Sequence, residues 1–188
     1  MLPYLSISQY LELEYSSPTK HEYEGGEILA MTGGSLNHGI LCGNAYNEIR
    51  SGLGKKGSNC NAFGSEIRIH IKAAEAIVYP DTMVICNEIE TSDEDPEAVV
   101  NPILVVEVLS KSTESYDRGD KFYKYRQLSS LQEYVLVAQD SAMVETFHRK
   151  EKRVWEIARY IGIDAVINLK SIGIEIKLRD LYLNVGIK

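Results

Sequence analysis

Apolar positions in this chain follow two rhythms, one of period near 3.6 and one of period 2. Over residues 6–15, Ile7, Tyr10, Leu11 and Tyr15 share one helical face, and Ser6 with Gln9 reads as a capping box. Two short extended runs follow, 21–24 and 27–31, joined by Gly25-Gly26, which can take the positive φ angles of a two-residue hairpin. A second helix is predicted over 37–53, capped by Asn37, with Leu41, Ala45, Ile49 and Leu53 as its apolar stripe. Gly39 and Gly43 fall on another face, where a neighbouring backbone could come close.

Strand patterns dominate the rest. Residues 66–71 alternate, with Ile67, Ile69 and Ile71 on one side; 76–86 is interrupted at Pro80-Asp81; and 102–109 is the most apolar stretch. A third helix is predicted over 116–128. Strands are then expected at 133–138, 143–148, 154–157, 165–169 and 174–176, with a helical turn over 178–183. The order predicts one α/β domain over 1–188: a mixed central β-sheet flanked by helices, with an N-terminal helix and β-hairpin.

Composition narrows the setting more than the chemistry. No apolar run approaches the roughly 18 residues needed to cross a bilayer, and Met1-Leu2-Pro3-Tyr4 does not open a signal peptide. Three widely spaced cysteines, Cys42, Cys60 and Cys86, argue against a zinc cage or a disulfide framework and suit a reducing compartment, so the expected location is cytoplasmic. The net charge is −7, yet the stretch 87–97 alone carries six acidic groups and no base, leaving the remainder at −1. Charge therefore neither requires nor forbids a nucleic-acid partner.

The chemistry is concentrated in a few carboxylates. Glu107 interrupts the otherwise apolar run 102–109, which reads as a central strand covered on both faces. An uncompensated carboxylate there would cost several kcal/mol in desolvation, so a cation, a base or a proton must balance it. A structural ion pair or a strand end reaching solvent would meet that need; so would a metal at the carboxyl end of a strand, where α/β enzymes place their chemistry. Asp81 stands where Pro80 breaks a second apolar run, 26 residues earlier. Taken alone it reads as an ordinary Pro-Asp turn, but paired with Glu107 it offers the oxygen ligands a hard divalent cation needs. Asp117, Lys121 and Tyr125 recur at i+4. Lys121 is either half of a surface ion pair with Asp117, worth about 0.3–0.5 kcal/mol, or an ammonium reaching the same site. Tyr125 reads as core.

The ordered set Tyr79-Pro80-Asp81, Pro102 to Thr113 with Glu107 at its centre, Tyr116-Asp117-Arg118 followed by Lys121, and Glu133-Tyr134 resembles the Uma-type restriction-endonuclease family of the PD-(D/E)XK nuclease superfamily. Upstream, His21-Glu22-Tyr23, Gly26-Glu27-Ile28 and His38 extend the resemblance over most of the chain. It implies a restriction-endonuclease-like core and a Mg²⁺- or Mn²⁺-dependent endonuclease acting on DNA through metal-activated water. Asp81 and Glu107 would be the metal ligands and Lys121 the third catalytic group. Glu22, Glu27, His38 and Asp117 are supporting candidates, though Glu22 and Glu27 also read as hairpin surface charges and His38 as plain structure. The lysine that the superfamily carries two residues after its glutamate is here Leu109. Lys121, or less favourably Lys111 in the exiting loop, would have to replace it. That departure keeps open a nuclease-fold binding or regulatory module without cleavage. A symmetric homodimer would suit cutting both strands.

Overall fold

The computed structural model describes residues 4–31 and 33–187. Its N-terminal helix α1 (Ile7–Ser16) begins at the expected capping box, with Ser6 and Gln9 bonding each other's backbone amides. The hairpin β1 (His21–Glu24) and β2 (Glu27–Ala30) turns at Gly25 and Gly26, whose φ angles are +52° and +99°. Helix α2 (Leu36–Lys56) is capped by Ser35 rather than Asn37. It runs one turn past Leu53, because Gly57 at φ +64° supplies the left-handed residue that ends it. Gly39 and Gly43 face open space, so the close backbone approach expected there does not occur.

Six strands form the main sheet in the order β11-β10-β9-β8-β6-β3: β3 (Cys60–Gly64), β6 (Thr82–Cys86), β8 (Leu104–Leu109), β9 (Glu133–Ala138), β10 (Met143–Glu151) and β11 (Val154–Ile161). Only β8 and β9 pair in parallel. Parallel neighbours need a crossover, and the helical segment 114–125 provides it. That segment comprises α3 (Glu114–Tyr116), a π-helical turn (Asp117–Lys121) and α4 (Phe122–Tyr125). Both central strands are buried at every residue, which is why they read as continuous apolar runs.

Alternation along β8 divides the core. Leu104, Val106 and Val108 pack against the stripe Leu41, Ala45, Ile49 and Leu53 of α2. Val105 and Leu109 face the opposite way, toward Tyr125, Leu128 and Leu131. On that side lies a smaller sheet, β2-β1-β5-β4-β7, containing β4 (Arg68–Ile71), β5 (Ala76–Val78) and β7 (Ala98–Val99). The chain passes between the two sheets five times, twice through connections of three residues. Pro80-Asp81 separates β5 from β6, where a residue with no amide donor ends one ladder and the next strand starts in the other sheet. The turn at 65–67 does the same between β3 and β4, so the predicted strand 66–71 starts two residues late and β3 was not foreseen. A two-stranded ribbon, β12 (Val166–Leu169) and β13 (Ile174–Lys177), and the turn α5 (Leu178–Leu181) close the far side of α2.

One expectation from composition is corrected. Cys60 and Cys86 lie directly opposite each other on β3 and β6 and are joined by a disulfide, which leaves Cys42 as the free thiol. The reducing compartment inferred from cysteine spacing loses its support. The acidic stretch 87–97, counted above only as charge, is tied to the fold by one of its own carboxylates. Asp95 is fully buried and accepts a bond of 2.9 Å from Nη2 of Arg68, anchoring the segment beside β4. No helix among the described residues is long and apolar enough to cross a membrane.

Candidate active site

A cleft of about 700 Å³ opens where the ends of β1, β5 and β8, the start of α2 and the π-helical turn converge. Its lining includes Glu22, His38, Asp81, Glu107, Asp117 and Lys121. Six of the seven residues singled out from the sequence thus share one cavity. The seventh, Glu27, is exposed on the hairpin and does not line it, because in a period-2 strand its position at the turn points it to solvent.

Each side chain is held by the element that carries it. The break at Pro80-Asp81 lets the Asp81 carboxylate turn across to β8, where Oδ2 accepts a 2.7 Å bond from the Val108 amide. His38, in the first turn of α2, brings Nε2 to 3.4 Å from the same oxygen. Glu107 projects from the middle of β8 toward the crossover helix, and Oε1 accepts a 2.9 Å bond from the Tyr125 hydroxyl. Glu22 on β1 accepts from the Tyr79 amide at 3.0 Å. The π-helical turn widens the helix between Asp117 and Lys121 and aims Lys121 inward, a departure from α geometry often found at functional sites.

Lys121 is the hub. Its Nζ lies 2.9 Å from Glu107, 3.3 Å from Glu22 and 4.0 Å from Asp117, and donates to the Tyr79 carbonyl at 3.3 Å. Lys121 and Asp117 are both buried, so the surface-pair reading is excluded. Lys111 reaches only the exposed rim of the cleft. Leu109 is core, and the ammonium beside Glu107 is that of Lys121 on the helix. Tyr125 is core and also a donor to Glu107, a role that its i+4 spacing from Lys121 could have signalled.

Charges in the cleft do not balance. Four carboxylates, Glu22, Asp81, Glu107 and Asp117, surround Lys121 and His38, while the exposed Lys111 and Asp140 offset each other at the rim. Burial raises Glu107 well above the ordinary carboxylate range, and the charges of Asp81 and Asp117 add to this against the pull of Lys121. Burial also raises Asp117, despite Lys121. Lys121 itself is held well above its usual value, because Glu107, Glu22 and Asp117 outweigh the burial that would lower it. Asp81 goes the other way. Burial opposes ionisation there, but the His38 bond and charge, the Val108 amide and Lys121 together lower its pKa. His38 is correspondingly raised, chiefly by its bond to Asp81. With Asp81 shifted down and Glu107 shifted up by burial, a cation between them would offset the cost of ionising the buried carboxylate. The oxygens of Asp81, in the turn between β5 and β6, and of Glu107, on β8, are hard donors of the kind divalent cations take.

The family model described as "Putative restriction endonuclease", Uma2, matches residues 7–179. The chain belongs to the Uma2 family. Two uncharacterized Synechocystis proteins are similar to it over most of their length. Slr1290 is 36% identical over 180 residues, covering 96% of this chain and 92% of its own; sll1609 is 35% identical over 163 residues, covering 87% and 91%. Among solved structures, the fold matches a crystal structure from Anabaena variabilis described as "a putative nuclease belonging to DUF820". Its TM-score is 0.76 at 17% identity, over 95% of this chain and 98% of that one. At that identity the match establishes the fold alone, mixed β-sheets flanked by helices, while Uma2 membership supports a nuclease-like function.

Proposed function

We propose that this Uma2 protein is a divalent-metal-dependent endonuclease that hydrolyses DNA phosphodiester bonds, with Asp81 and Glu107 holding Mg²⁺ or Mn²⁺. The observation that carries this reading is the surplus of buried carboxylate around Lys121, opening on a cleft at the ends of the central strands. A bound cation would supply an activated water and neutralise charge on the scissile phosphate.

The chain's own residues do the rest. Val108 and His38 fix the Asp81 carboxylate, and the Tyr125 hydroxyl fixes that of Glu107. Both acids therefore present oxygens without first losing rotamer freedom. Lys121, tethered by Glu22 and Asp117, places a positive charge beside Glu107, where it can stabilise the charge that builds on the phosphoryl oxygens. It fills the role left vacant by Leu109.

Supercoiled and single-stranded DNA incubated with the protein across Mg²⁺, Mn²⁺ and Ca²⁺ tests it. Cleavage by the wild type, abolished in Asp81→Ala and in Glu107→Gln, is expected. Wild-type rates in Asp81→Ala, or cutting indifferent to chelation, would remove the reading.

A further inference from the structure

The thiol of Cys42, beside the cleft, plays no part in that chemistry. His38 and Cys42 stand four residues apart on α2, on the face next to its buried stripe, so their side chains meet. The Cys42 sulfur lies 3.5 Å from Nδ1 and 4.0 Å from Nε2 of His38. On its other side, Nε2 is 3.4 Å from Asp81 Oδ2. One donor atom from each of the three residues falls within 4.8 Å of the others.

These spacings approach those of a metal's ligand shell. Zinc bonds of about 2.3 Å to sulfur and about 2.0–2.2 Å to nitrogen or oxygen, at tetrahedral angles, separate the ligand atoms by roughly 3.3–3.6 Å. With Nε2 as the imidazole ligand, the Nε2–Oδ2 spacing already fits, and the sulfur, 4.0 Å from Nε2, must close in by about half an ångström or more. Thiolate, imidazole and carboxylate together are a borderline-to-soft set, unlike the all-oxygen pair of Asp81 and Glu107. Three protein ligands would leave a fourth position open toward the cleft that His38 and Asp81 line.

We infer that His38, Cys42 and Asp81 form a second cation site, selective for zinc, that shares Asp81 with the magnesium site and so competes with it. Zinc binding follows from the triad alone. The competition rests on the proposed nuclease function, because it acts by withdrawing Asp81 from the partnership with Glu107.

Cobalt(II) is the probe, added without reductant so that the Cys60–Cys86 disulfide stays closed. A cobalt–thiolate charge-transfer band should appear in the near ultraviolet and vanish when zinc displaces the cobalt. Cys42→Ser should abolish the band and weaken zinc, measured by competition with a chromophoric chelator, by at least about 10-fold. Glu107→Gln should keep the band. In Mg²⁺-driven cleavage, zinc should inhibit the wild type, and the inhibitory concentration should rise at least as much in Cys42→Ser. Thermal melts confirm that each variant is folded. No band in folded wild-type protein, or a band that survives Cys42→Ser, overturns the inference and shows the sulfur–imidazole contact to be a simple hydrogen bond. A band that behaves as described, in a protein that cuts no DNA with any metal, upholds the zinc site and removes the nuclease instead.

Discussion

Glu107→Gln separates a metal site from a structural ion pair by stability alone. Were Glu107 simply the partner of Lys121, removing its charge would strand a buried ammonium and cost about 3–5 kcal/mol. The geometry argues otherwise. Lys121 keeps Glu22 at 3.3 Å and Asp117 at 4.0 Å, and Glu107 is the carboxylate whose ionisation burial most opposes. A neutral, isosteric amide can still accept the Tyr125 bond and relieves repulsion with Asp81 and Asp117. The expected cost without metal is therefore under about 1 kcal/mol, the scale of one neutral hydrogen bond. With metal the order changes. At a hundredfold excess over Kd, a bound cation stabilises the folded wild type by about 2.7 kcal/mol. At 2–4 °C per kcal/mol for a chain of this size, the melting temperature should rise by about 5–11 °C. Glu107→Gln should show little of that rise. Melts by differential scanning fluorimetry or circular dichroism, with Mn²⁺ and with EDTA, supply the four numbers. A variant destabilised by 3–5 kcal/mol, alongside a wild type indifferent to Mn²⁺, would refute the reasoning.

Three other outcomes follow from the same contacts. Lys121→Met should destabilise the metal-free protein by about 3–5 kcal/mol, since it strands several buried carboxylates, and should reduce cleavage by roughly 10²–10³-fold; melts with EDTA and single-turnover assays read the two effects. Asp95 has its pKa depressed; burial opposes this, but the Arg68 contacts, the Glu97 amide and the Tyr15 hydroxyl outweigh it. Its contribution is therefore complete above the ordinary carboxylate value of about 3.9 and is lost as pH falls through the lower folded value; urea titrations below about pH 5 should show a shallower loss in Asp95→Asn than in the wild type. Leu104→Ala, at the fully buried contact between β8 and α2, should cost about 2–5 kcal/mol while leaving the metal-induced melting shift intact.

Much of the arrangement was legible in the residues because it rests on local rules. A carboxylate inside a strand apolar on both faces has few places to go, and Glu107 sits in the cleft for that reason. Proline's missing amide marked the point where the chain changes sheets and Asp81 turns inward. What escaped depends on pairings that no local rule states. The Cys60–Cys86 bond requires knowing that β3 is a strand and that it lies beside β6, yet residues 60–64 carry no strong alternation. The burial of Asp95 has no local signature because its partner, Arg68, is far off in sequence. Glu27 and Glu22 belong to the same hairpin, and only the seating of that hairpin against β5 separates the cleft residue from the solvent one. Spacing suggested that Lys121 could reach inward; the π-helical turn, invisible to a 3.6-residue period, is what lets it do so.

The central claim is that oxygens of Asp81 and Glu107 grip one ion. Anomalous diffraction from crystals soaked in Mn²⁺ tests this directly. The account predicts a strong manganese peak in contact with both carboxylates. A saturating soak whose manganese peaks touch neither residue, or only one of them, would contradict it.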